Sequence, residues 1–185
     1  MRFSLMPALL AGATLIVPAS SAVAADPMSD QDMIKSAESA APPAVGKGAK
    51  IVAFDAQMNM RTLREGSNGF TCVPDFPSSP GPDPMCADQG GMAWMAAWLG
   101  HKDPPKGVVG FVYMLAGGSD PSNLDPFATE PMPGGQWTTT PPHVMILNVG
   151  DMVKDYPTGE KPNTQSPYVM YPGTPYAHIM VPVKQ

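Results

Sequence analysis

Apolar residues along the chain fall into short blocks separated by proline and glycine. Lys50 to Ala56 and Met58 to Leu63 have the length and composition of strands. The turn Glu65-Gly66-Ser67-Asn68-Gly69 follows, and Asn68-Gly69 favours positive backbone angles, which predicts a hairpin into a short strand at Phe70 to Val73. Val108 to Ala116 is a continuous apolar run suited to a central strand, broken by Gly117-Gly118 and the polar stretch Ser119 to Pro126. His143 to Val149, Tyr168 to Tyr171 and Ile179 to Val183 are further strand candidates.

The strongest helical block is Asp88 to Leu99. Asp88 is a good cap, Met92, Met95 and Leu99 share a face, Trp94 and Trp98 lie one turn apart, and Gly100 is a stop. The block is apolar nearly all round, which predicts burial against a sheet. A shorter helix is expected from Pro27 to Ala41, capped by Ser29 or Asp30 and ended by Pro42-Pro43. Gly46-Lys47-Gly48 reads as a flexible joint, so this arm is expected to pack loosely, with the core beginning near Ala49.

The predicted fold class is α+β: a small, mostly antiparallel sheet with one main buried helix, long proline-rich loops and one disulfide. The 24 prolines recur without a period, which excludes collagen-like and polyproline architectures and shortens every regular element. The expected organisation is a leader at 1–24, an N-terminal helix and joint at 25–48, and a single globular domain at 49–185.

The leader reading rests on Met1-Arg2, the uncharged apolar stretch Phe3 to Val17, and the small-x-small site Ala22-Val23-Ala24. That stretch is shorter than the roughly 20 residues of a membrane span. The expectation is a soluble protein, periplasmic or secreted, with no membrane insertion after signal cleavage. The net charge is −5, and one unit more negative once Arg2 is removed. Only Arg61 and Arg64 then remain as arginines, a balance that argues against nucleic acid and anionic membranes as partners.

Cys72 and Cys86 flank a proline-rich loop that regular structure cannot occupy. In an exported chain such a pair predicts a disulfide, stabilising by roughly 3 kcal/mol through loss of chain entropy in the unfolded state. A redox or metal-binding thiol pair is the alternative, but the spacing lacks C-x-x-C and no histidine lies nearby in sequence.

Common catalytic strings are absent: there is no G-x-S-x-G, H-E-x-x-H, P-loop or dinucleotide glycine pattern. One pattern repeats. Thr140-Pro141-Pro142-His143-Val144-Met145 resembles Thr174-Pro175-Tyr176-Ala177-His178-Ile179-Met180, with the two histidines 35 residues apart. On a strand, residues two apart share a face, so each segment presents an imidazole beside a thioether. If the strands are neighbours, His143, Met145, His178 and Met180 form an N2S2 cluster suited to a soft ion such as copper(I). The blander reading makes all four ordinary strand residues, with methionine filling an irregular core.

Asp120 to Asp125 gathers oxygen-bearing side chains that suit either calcium or, with its proline and turn-forming residues, a set of tight turns. Asp120, Asp125 and His143, with Trp137, Tyr168, Tyr171 and Tyr176, make up a third candidate, a small-ligand pocket. An aspartate–histidine general base there is the basis for a small exported enzyme as the alternative function. His101, beside Lys102 and Asp103, reads as a surface residue.

Several stretches carry a family resemblance: Ser67-Asn68-Gly69-Phe70-Thr71-Cys72, Pro84-Met85-Cys86, Tyr113-Met114-Leu115, Pro142-His143-Val144-Met145-Ile146, Pro167-Tyr168-Val169-Met170 and Thr174 to Val183. With them the chain resembles a family of exported bacterial proteins of unknown function. The resemblance implies export and a grouping, without a mechanism. The functional expectation is a non-enzymatic protein that binds a soft metal or a small ligand.

Overall fold

The structure is a computed structural model that describes residues 28–55, 57–76 and 79–183. The leader at 1–24 lies outside the described residues. Ten strands and three α-helices are described. They are α1 (Asp30–Ser39), α2 (Pro43–Gly46), β1 (Lys50–Phe54), β2 (Met60–Arg64), β3 (Thr71–Val73), β4 (Met85–Ala87), α3 (Gln89–Leu99), β5 (Gly110–Met114), β6 (Gly118–Asp120), β7 (Thr138–Thr140), β8 (His143–Leu147), β9 (Tyr168–Met170) and β10 (His178–Pro182). A short 3-10 helix spans Gly150–Asp155. This is the expected α+β class, although the sheet is larger than foreseen.

Eight strands form one mixed sheet in the order β2-β1-β3-β4-β5-β8-β10-β9, and β6 and β7 pair separately. The apolar run expected to be central does supply β5, between β4 and β8. Residues pointing to one face (Ala87, Val112, Met145, Met180 and Met170 among them) pack beneath α3. Ile51, Cys72 and Cys86 point to the other face and pack beneath α1.

The expected hairpin at Asn68-Gly69 is not formed. Instead, β3 lies parallel to β1, on the side away from β2. Asn68 Nδ2 donates to the Val45 carbonyl, and its Oδ1 accepts from Phe70 N–H. Gly69 takes the predicted left-handed angle, φ +81°. The turn chemistry is as expected, but the turn carries the chain past β1 rather than back along β2. Gly66 is required at this crossing, since a Cβ there would come within 2.0 Å of Lys50 N.

The N-terminal arm is not loose. Ala37, Ala40 and Ala49 are fully buried, and α2 occupies part of the expected joint. Both described arginines tie α1 to the edge strand β2. Arg61 makes a two-pronged contact with Asp30, and Arg64 pairs with Glu38 while also donating to the Gly46 and Ala49 carbonyls. Small alanines allow close packing, and the Arg64 guanidinium joins a carboxylate and two backbone carbonyls in the segment that leads into β1.

Helix α3 starts where expected. Asp88 caps it by accepting from Gly91 N–H, and Gly100 closes it. Its first turn rests backbone-on-backbone against β5, because a Cβ on Gly110 would lie 2.3 Å from Gly91 N. Burial is less complete than the apolar sequence predicts: Trp94 and Met95 are covered, whereas Leu99 is 45% exposed. The disulfide joins Cys72 and Cys86, which stand directly opposite one another in β3 and β4 with no solvent exposure.

Candidate functional site

Between α3 and the sheet lies a cavity of about 260 Å³. Methionine dominates its walls: Met58, Met85, Met95, Met114, Met145, Met170 and Met180 all face it, with Trp94 and Trp98 from α3. Its polar groups are few, namely His178, Asp83, Asp120, Ser119 and Tyr171. An apolar chamber with a handful of converging polar atoms is the usual form of a small-ligand site.

The strand register decides where the four predicted ligands stand. β8 and β10 are antiparallel neighbours, as the repeat required. Met145 lies opposite Met180, His178 opposite Leu147, and His143 opposite Pro182. All four side chains therefore share the α3 face. The two thioethers meet, but the imidazoles sit at opposite ends of the pairing. His143 is four residues along β8 from the partner of His178, about 13 Å of extended strand. The register thus places His178 beside Met145 and Met180, and His143 at the far end of the pairing. Only His178, Met145 and Met180 line the cavity, and His143 packs instead against the backbone near Gly118.

The two histidines are alike in one respect. His143 Nδ1 lies 2.8 Å from the Pro141 carbonyl, and His178 Nδ1 lies 2.9 Å from the Tyr176 carbonyl, each two residues upstream. A carbonyl only accepts, so Nδ1 carries the proton in both rings and Nε2 holds the lone pair. Both Nε2 atoms are buried without a partner. Burial holds both rings neutral. His178 is pushed down to about 4 by burial, against the opposing hydrogen bond to Tyr176 and with a smaller lowering from His143. His143 is lowered by burial.

The expected aspartate–histidine base is not assembled. Among the described residues, each imidazole bonds only to backbone. Asp120 lies instead beside Tyr171 on the cavity wall. Burial, followed by the charge of Asp83, pushes Asp120 up to about 7. Asp83 is itself raised to about 6, mainly by burial.

Tyr171 reaches the cavity through an unusual backbone. Strand alternation would turn the residue after Met170 to the opposite face. Tyr171 has φ 56°, and its N–H donates to the Asn123 carbonyl, which returns its ring to the Met170 side. Its ring centre lies 5.5 Å from that of His178, and Trp94 stands edge-on to the same imidazole at 5.3 Å.

The Asp120 to Asp125 stretch has the arrangement of turns. The Ser122 hydroxyl accepts from Leu124 and Asp125 N–H, and Asp125 accepts from Phe127 N–H. Asn123 is buried and donates to the Gly159 and Val169 carbonyls. Trp137 lines a separate surface groove with Gln136, Glu160 and Lys161. His101 is exposed and stacks on Phe127 at 4.0 Å.

Sequence reasoning missed Asp83, Trp94, Trp98 and most of the methionines as site residues. The signal present was the total of 15 methionines, which composition alone cannot assign to one face of a sheet. Among the described residues, no helix is long and apolar enough to cross a membrane, and no group of three or more His, Cys, Asp or Glu is placed to hold a metal ion. No protein family, curated protein or solved structure matches the chain.

Proposed function

We propose that this is an exported, non-enzymatic binding protein that holds a small ligand or a soft metal ion such as copper in the methionine-walled cavity. One observation carries the reading. A chamber of about 260 Å³, walled by apolar side chains, contains a buried histidine nitrogen whose lone pair has no partner. A buried acceptor without a donor costs roughly 1–3 kcal/mol, and a bound group that engages it recovers that cost.

Export to the periplasm or beyond is supported by the leader pattern at 1–24, by the resemblance to exported bacterial proteins and by the disulfide, a bond typical of oxidising compartments. Binding is favoured over catalysis because the imidazoles bond to backbone and leave the carboxylates unassisted.

The test uses tryptophan fluorescence. Trp94 and Trp98 line the cavity, whereas Trp137 lies in the other groove, so Trp137→Phe leaves only cavity reporters. Titration with the neutral apolar probe N-phenyl-1-naphthylamine is expected to give saturable 1:1 quenching. Filling the chamber with Met145→Trp, read by the probe's own emission, is expected to abolish binding. A linear, unsaturable response from the Trp137→Phe protein would overturn the small-ligand reading, and the same result with silver(I) would overturn the binding function.

A further inference from the structure

We infer that the cavity contains a binding site for a soft monovalent metal ion, copper(I) or its mimic silver(I), formed by His178 Nε2 and the thioethers of Met145, Met170 and Met180. This rests on the cavity being the ligand site, and it names the ion and the donor atoms.

The register supplies the argument. Met170 stands opposite His178 across β9 and β10, and Met145 opposite Met180 across β8 and β10. His178 and Met180 are two apart on β10 and share its cavity face. The four side chains thus form one contiguous patch of three adjacent strands, and all four line the cavity. The set differs from the one the repeated sequence suggests, since Met170 takes the place of His143.

Donor chemistry then selects the ion. Thioethers are soft ligands that favour Cu(I), and imidazole is compatible with it. Hard and borderline divalent ions prefer carboxylate, thiolate or several imidazoles, and no such group is assembled among the described residues. His178 also has the supporting contact common to metal-bound imidazoles, its second nitrogen donating to a backbone carbonyl. It is 1% exposed, with Nε2 free of any partner. The four donors are neutral, so a bound ion brings one positive charge into an apolar chamber. Asp83 and Asp120 on the same walls are acids that can offset it by giving up their protons, without coordinating.

Anaerobic titration with silver(I), followed by the methionine methyl signals in carbon–proton NMR, tests the assignment. The expected result is 1:1 binding that shifts the methyls of Met145, Met170 and Met180 and the His178 ring, leaving exposed Met132 and Met152 unmoved. Met170→Leu, which nearly conserves volume, is expected to weaken binding at least tenfold, and His143→Gln to leave it unchanged. Shifts confined to exposed methionines would overturn the site, as would unchanged affinity in Met170→Leu. A protein that takes up the naphthylamine probe but not silver(I) would refute the ion while sparing the binding function. One that takes up neither would refute both.

Discussion

Tyr171 and Asp120 stand side by side on the wall of the cavity, with the Asp120 carboxyl shielded from solvent. The acid is held protonated to about pH 7, against a value near 3.8 in the unfolded chain. Between those values the folded state binds a proton that the unfolded state has lost, so stability falls as pH rises from about 4 to about 7. Asn does not titrate. Asp120→Asn is therefore expected to stabilise the fold by on the order of 2–4 kcal/mol at pH 8, with the gain fading towards pH 4. Urea unfolding across that range reads the difference, and a gain independent of pH would contradict it. Asp83, pushed up to about 6, adds an effect of the same sign over a narrower window, from about 4 to about 6.

His178 acts in the opposite sense. Its folded value is about 4, below an unfolded value near 6.5. Below pH 6.5 the unfolded chain gains a proton that the folded ring resists, so stability is lost towards pH 4. The stability gap between the wild type and His178→Gln is expected to narrow across that window in denaturant titrations. A constant gap would show that the ring protonates freely in the folded state.

Arg61 and Arg64 contact the same helix with different expected weight. Arg61 and Asp30 are both largely in solvent, where such pairs contribute little. Arg64 is mostly covered and serves Glu38 and two backbone carbonyls. Arg64→Ala is expected to cost about 1–3 kcal/mol and to raise amide exchange across α1. Arg61→Ala should leave the unfolding midpoint essentially unmoved. Equal effects would undo this ranking.

Replacing Cys72 and Cys86 with alanine opens a cross-link spanning 14 residues in sequence. A loss of about 3 kcal/mol is expected from chain entropy, with a further loss from the buried volume removed. Chemical denaturation of the double variant measures it, and unchanged stability would refute it.

Much of the fold was legible because local chemistry and burial agree. Asp88 and Gly100 bound α3, Val108 to Ala116 contains β5, and the two His-x-Met segments become adjacent antiparallel strands. What was not legible depended on register and long-range pairing. Nothing near Asn68-Gly69 states that β3 will pass β1 and run parallel to it. The offset that separates His143 from His178 is likewise fixed only when β8 and β10 pair. Met170 becomes a site residue because β9 brings it opposite His178, a relation between segments that share no motif.

The backbone carbonyls of Pro141 and Tyr176 determine which nitrogen of each imidazole carries the proton. Because both acceptors belong to the main chain, no replacement of a distant side chain can reverse that choice. Each Thr-Pro-to-His segment is accordingly a portable cassette, a strand lead-in that sets its own tautomer. Grafted onto another antiparallel strand, it should place the proton on Nδ1 and leave Nε2 as the lone-pair nitrogen wherever the new neighbours bury the ring.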